Sequence, residues 1–152
     1  MRGKLRTATA DDFEAVYALL EMAHQEVKPF AINQAKARAF VGEVFSRGVV
    51  LAVEDGAALV GTAAIMGETP WWSDQVVVRG VWLYVLPEHR RSPYAGQLLR
   101  SMRTMAQRAS LPFAIEFTAA TGNEASFNRK RRLYEKCLGH PMGMSFLVMA
   151  GE

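Results

Sequence analysis

The run 83-LYVLPEHRRSPYAGQLL-99 holds the most informative junction in the chain. Leu83 to Leu86 is apolar and β-prone, and Pro87 stops it. Arg90 and Arg91 follow as an adjacent pair. Ser92-Pro93 then opens a stretch whose apolar residues, Ala95, Leu98, Leu99, Met102, Met105 and Ala106, recur at helical spacing, with Arg100, Arg103 and Arg108 on the outer side. A strand thus hands over to an amphipathic helix spanning Tyr94 to Ala109. Ser92 reads as the N-cap and Pro93 as the first helical residue, where its φ already suits a helix and its missing N–H has no intrahelical partner. The opening amides, the positive end of the helix dipole and two guanidinium groups converge on one corner, which is the chemistry of an anion site. The corner alone is equally compatible with a well-capped helix whose arginines face water.

Outward from that corner the pattern is regular. Lys4–Thr7 reads as a first strand. Thr9 and Asp12 form a capping arrangement before a helix carrying Phe13, Val16, Leu19, Leu20 and Ala23 on one side. A second helical pattern runs from Asn33 to Ser46 and ends at Gly48. The next stretch, 49-VVLAVEDGAALVGTAAIM-66, is two strands joined at Asp55-Gly56, a hairpin signal. A loop, GETPWWSD, precedes a strand from Gln75 to Leu86. Beyond the Arg-rich corner and its helix come a strand at Phe113–Thr118, a basic helix at Ser126–Leu138 closed by Gly139, and a last strand at Met142–Met149. The order is β-α-α-β-β-β-α-β-α-β, expected to form a mixed α/β domain in which helices pack on a mixed sheet.

The chain has 152 residues, half of them hydrophobic and 22 % charged, which suits a single domain over 1–152. Its longest apolar runs fall short of a bilayer span, and the first residues lack the apolar stretch of a signal peptide. Cys137 is the only cysteine, so no internal disulfide framework forms, and the three histidines show no metal-ligand spacing. A free thiol without an export signal suits a cytoplasmic location. The formal charge of +3 admits either nucleic acid or a polyanionic small ligand.

The segment Leu83-Tyr84-Val85-x-Pro87-Glu88-x-Arg90-Arg91-x-x-Tyr94-Ala95-Gly96-x-Leu98-Leu99 resembles the acetyl-CoA-binding segment of the GNAT superfamily of N-acetyltransferases. The opening Leu5-Arg6-x-Ala8-x-x-x-Asp12-Phe13 is similar to that family's first strand and helix start. Leu133-Tyr134-Glu135-Lys136-x-x-Gly139 resembles its Leu-Tyr-Glu-Lys-x-Gly-Phe signature, with one residue inserted and His140 in place of the phenylalanine. Pro93 departs from the pattern, since the family has glycine there, and it removes one amide from the cradle. The element order matches throughout. The resemblance implies a central, mostly antiparallel sheet of six to seven strands, with the fourth and fifth strands splayed apart and the coenzyme lying in the opening. Leu83, Tyr84, Val85, Arg90, Arg91, Ser92, Tyr94, Ala95, Gly96 and Asn128 are then the expected cofactor-binding residues, an amide near Val85 polarising the thioester carbonyl. Tyr134 falls where the family places the acid that protonates the departing thiolate; the other reading is an aromatic closing the core at a helix end.

The base is less sharply marked. Arg79-Gly80-Val81-Trp82 has no carboxylate where some family members carry a glutamate. Glu116, between Ile115 and Phe117, is the candidate, either facing the cleft or facing solvent by strand alternation. Phe30, Trp71 and Trp72 are the candidates for substrate binding. The tryptophan pair also reads as a dimer contact or a core plug. His24 and Glu26 accompany Phe30 by position only. The Arg129–Arg132 run reads first as a solvated helix face; the coenzyme's 3′-phosphate or an acidic partner is the other reading, and no nucleic-acid motif accompanies it. The expected function is acetyl-CoA-dependent N-acetyl transfer to a primary amine by direct attack, without metal, membrane or nucleic acid, with a homodimer in keeping with the family. The alternative is a GNAT-like module that binds an acyl-CoA or a partner with little turnover.

Overall fold

Gly56 adopts φ +66°, a backbone angle that favours glycine, and turns the chain sharply back at the Asp55-Gly56 pair. In the computed structural model, which describes residues 3–27, 30–119, 123–144, 146, 148, 150 and 151, this turn joins β2 (Val49–Asp55) to β3 (Ala58–Glu68). Before them come β1 (Lys4–Thr7), α1 (Phe13–Val27) and α2 (Gln34–Arg47); after them come β4 (Val77–Val85), α3 (Tyr94–Arg108), β5 (Phe113–Ile115) and α4 (Glu124–Leu138). The five strands lie in the order β1-β2-β3-β4-β5, antiparallel except for the parallel β4–β5 pair. This is the mixed α/β architecture expected from the element order.

Each helix buries one face on the sheet. On one side, Val16 of α1 and Val44 of α2 pack with Val50 and Ala64, joined by Val81 and Trp82. On the other, Leu98, Leu99 and Met102 of α3 and Cys137 of α4 pack with Leu51, Val53, Val78 and Val85. Burying each such side chain stabilises the fold by about 1.5–3 kcal/mol in area terms. Thr62, the buried polar residue of the core, is satisfied: its hydroxyl donates to the Leu51 carbonyl at 2.9 Å and accepts from the Trp82 indole at 3.2 Å. At the start of α1 the capping box is present, with Asp12 accepting from the Thr9 amide at 2.7 Å. Arg6 locks the same corner to the β2 end through Asp12 and Glu54.

Several boundaries differ from the sequence expectation. Asn123 accepts from the Ser126 amide and starts α4 two residues earlier than Ser126. Pro93 is the N-cap of α3 rather than its first residue, while the Ser92 hydroxyl accepts from the Tyr94 amide at 3.3 Å. The strand at Phe113 stops at Ile115 instead of reaching Thr118, because its partner β4 turns away there. Five strands rather than six or seven are found among the described residues. Of the expected last strand, Ser145, Leu147 and Met149 lie outside the described residues; Met142, Met144, Phe146 and Val148 are exposed and in no strand.

Candidate active site

The site begins with a bulge. Ala64 pairs with Trp82 but Ile65 pairs with Gly80, so Val81 is an extra residue on β4. Its signature is that Val81 and Trp82 both pack on the α1–α2 side. Val78 before the bulge and Val85 after it face α3. On the other edge of β4, β5 pairs only at Val78, Arg79 and Gly80. A Cβ at Gly80 would lie 2.5 Å from Ile115 Cγ1, so glycine lets the two strands touch at their last shared position. Past that contact they part, and a wedge opens between β4 and the chain after Ile115.

The ladder decides which backbone groups line the wedge. Leu86 N–H donates to the Val60 carbonyl at 2.9 Å. Bonding alternates along an antiparallel pair, so Tyr84 and Trp82 also turn toward β3 while Leu83 and Val85 turn away from it. The amides of Leu83 and Val85 therefore face the wedge. At its end, the amides of Ala95 and Gly96 are among the first in α3 and have no intrahelical partner. Arg91 is exposed beside them. Ser92 is turned to its own loop, its hydroxyl donating to the His89 carbonyl. Tyr94 is buried, its hydroxyl donating to Asp55 at 3.1 Å and accepting from the Gly3 amide at 2.8 Å.

Arg90 is turned inward. Its Nε donates to the Val85 carbonyl at 3.1 Å, and its Nη2 donates to both Glu26 oxygens at 2.7 and 2.6 Å. The Tyr84 hydroxyl donates to Glu26 Oε1 at 2.6 Å, and the Arg90 guanidinium lies 5.6 Å from the Tyr84 ring centroid. Burial, together with the Glu26 charge, pushes the Tyr84 phenol up to about 12. Burial works to raise the Glu26 carboxyl, but the bonds from Tyr84 and Arg90 outweigh it and hold the group below its usual value. Lys130 of α4 belongs to the same neighbourhood: burial first, then the Arg90 charge, lowers its ammonium, and Glu26 opposes this. Its Nζ donates to the Thr118 carbonyl. Three elements distant in sequence thus meet at the mouth of the wedge. Glu26 was marked in the sequence only by position, and nothing local signals its pairing with a residue 64 positions away.

Across the wedge, the Phe117 ring packs at a tilt against Tyr134, with centroids 4.8 Å apart, and against Phe127 at 5.2 Å. Burial pushes the Tyr134 phenol well above its ordinary value, and its hydroxyl has no hydrogen-bond partner among the described residues. Asn128 stands on α4 next to Phe127, half-buried. Glu116 follows directly on the wedge apex, exposed, and accepts from Arg79 at 3.2 Å. The tryptophans lie elsewhere. Their loop follows Glu68, which pairs with Val77, at the opposite end of β4 from Tyr84; that is roughly 20 Å of strand. Trp71 is 95 % exposed and Trp72 71 %, so neither plugs the core. Phe30, four residues beyond Glu26, is exposed as well.

Among the described residues no helix is long and apolar enough to cross a membrane. No curated protein matches the sequence. Solved structures match over nearly the whole length. Ribosomal-protein-alanine N-acetyltransferase from Brucella melitensis biovar Abortus 2308 superposes with a TM-score of 0.69 at 16 % identity, covering 98 % of this chain and 99 % of that one. Aminoglycoside antibiotic 6′-N-acetyltransferase from Acinetobacter haemolyticus gives 0.69 at 19 %, covering 98 % of both. The enzyme AAC(6′)-Iy, solved with a bisubstrate analogue of CoA, gives 0.72 at 14 %, again covering 98 % of both. At such identities the likeness is one of fold. The family model described as the acetyltransferase (GNAT) domain matches residues 46–137, from the end of α2 into the last turn of α4. The wedge, the Arg-rich corner and Tyr134 all fall within that span, and the chain belongs to the GNAT acetyltransferase family.

Proposed function

We propose that this protein is an acetyl-CoA-dependent N-acetyltransferase acting on a primary amine. One observation carries the reading: β4 and β5 pair at three positions and then part, leaving the Leu83 and Val85 amides beside the unpartnered opening amides of α3. The residues present fit a diphosphate-bearing thioester. The amides of Ala95 and Gly96, with Arg91, suit the phosphates; the Leu83 and Val85 edge suits an extended amide-bearing arm. Bound there, acetyl-CoA supplies an acyl group activated as a thioester.

The chain's own part is to position, polarise and move protons. The Val85 amide donates toward the carbonyl oxygen as negative charge develops on it. The amine nitrogen bonds to the acyl carbon as the carbon–sulfur bond breaks. Tyr134, held protonated by burial, gives its proton to the sulfur. Glu116, oriented by Arg79, takes the proton lost by the amine through water. Relatives by fold include a ribosomal-protein-alanine N-acetyltransferase and an aminoglycoside 6′-N-acetyltransferase, which supports an amine acceptor without choosing between a peptide and a small molecule.

The engagement of Glu116 with Arg79 favours a second reading, an acyl-CoA-binding module of low turnover. One assay separates the two. Thermal stabilisation by CoA, together with thiol release from acetyl-CoA on a panel of amines, is the expected result. Stabilisation without release selects the binding module, and no response to CoA discards both.

A further inference from the structure

Arg90 stands at the anion corner with its guanidinium committed to a carboxylate of the protein itself. We propose that Glu26 is a built-in competitor for the phosphate groups of the coenzyme: it holds Arg90 in the free protein, and coenzyme binding passes that guanidinium from carboxylate to phosphate. The proposal rests on reading the corner as the coenzyme's anion site.

The chemistry of the exchange follows from the contacts. Carboxylate and phosphate are the two anions that a guanidinium binds in the same way, through charge-assisted N–H···O bonds. Arg90 has room for a second anion, because its Nη1 has no hydrogen-bond partner among the described residues, while Nε is fixed on the Val85 carbonyl. The pair is half-exposed, with 46 % and 38 % of the two side chains open to solvent. Such ion pairs are weak enough for a multiply charged ligand to break. Glu26 is not stranded afterwards. It keeps the Tyr84 hydroxyl and remains close to the ammonium of Lys130. Arg90 and Lys130 bring two positive charges to the wedge mouth, and Glu26 is the carboxylate that acts on both. Glu26 is therefore a positioning residue: it sets the direction of Arg90 and lowers coenzyme affinity, which also speeds release of the CoA product.

The test is calorimetric titration of CoA into the full chain, four single variants and one double variant, with melting temperatures to establish that each is folded. Glu26→Gln keeps an acceptor for Tyr84 but removes the charge, and CoA binding tightens by about two- to fivefold, the worth of a half-exposed ion pair. Glu26→Asp, too short to reach Arg90 fully, tightens binding by less and serves if the glutamine variant does not fold. Glu43→Gln, which removes an equal charge from an exposed pair with Arg47, leaves affinity unchanged. In an Arg90→Ala background Glu26→Gln has no effect. Damage to the fold weakens binding, so tightening is not a readout that a structural role produces. The proposal is overturned if Glu26→Gln binds CoA no tighter than the parent, if Glu43→Gln tightens it equally, or if tightening persists without Arg90. If the parent itself binds no CoA, the anion-site reading fails first and this inference goes with it.

Discussion

The two halves of β4 belong to one continuous strand and have opposite fates. From Val78 to Gly80 the strand is paired on both edges and clamped by the Gly80–Ile115 contact. From Val81 to Val85 it is paired on β3 alone and shows the amides of Leu83 and Val85 to an opening. Both halves read as strand in the sequence, and nothing in their side chains says which one keeps its second neighbour. What separates them is one inserted residue and one missing side chain. A strand interior becomes a binding edge when its neighbour is made to leave.

That contrast is open to attack at both halves. The largest effect belongs to the open half: Tyr134→Phe, removing the hydroxyl across the wedge, lowers kcat by about 10²- to 10⁴-fold and leaves CoA affinity, measured by titration, within about twofold of the parent. Because burial raises the phenol above its ordinary value, the acid form persists through neutral and moderately alkaline pH. The kcat profile of the parent therefore has no falling limb from Tyr134 below about pH 10; an alkaline decline that Tyr134→Phe abolishes contradicts this. In the paired half, Gly80→Ala drives a methyl into Ile115 and destabilises the fold by about 1–3 kcal/mol in urea denaturation. Adding Ile115→Ala makes the loss smaller than the sum of the two single losses, and simple additivity would show that the strands do not touch as described.

Two smaller effects sharpen the division. Arg91→Ala weakens CoA binding by about two- to fivefold at low salt, and the difference fades near about 0.5 M salt as an exposed contact is screened. Binding unchanged from the parent at low salt places Arg91 outside the anion corner. Glu116→Gln, at the boundary between the halves, lowers kcat by about tenfold or less at neutral pH. The deficit disappears at high pH, where the amine arrives already neutral; a deficit that grows with pH removes Glu116 as the proton acceptor.

Local chemistry was legible in the sequence wherever a few adjacent residues decide the outcome. Asp55-Gly56 made its turn, Thr9 and Asp12 made their cap, and the apolar stripe of α3 lies against the sheet as its spacing implied. The motif around Arg90 and the signature around Tyr134 led to the family that the match over residues 46–137 establishes. The length of the fifth strand was not legible, because Phe113–Thr118 is uniformly β-prone and the strand ends where its partner departs. The bulge had a signal, a glycine inside a strand, but Gly80 alone does not say which residue is extra. The Glu26–Arg90–Tyr84 cluster had none, since it depends on three elements meeting in space. Trp71 and Trp72 were drawn to the site by rarity in a loop, and their loop sits at the far end of the strand.

Val81 has a consequence beyond bending a strand. Side chains along β4 count in twos, and the extra residue shifts that count between Val78 and Leu83, so that Leu83 and Val85 keep company with α3 while Trp82 and Tyr84 look toward α1. Were Val81 instead taken into the ladder opposite Ala64, the parity of everything downstream on β4 would reverse, presenting Trp82 and Tyr84 toward α3 and turning the Leu83 and Val85 amides back into the ladder. The open edge of β4 in this protein is thus an odd-number effect, one register slip away from an ordinary strand.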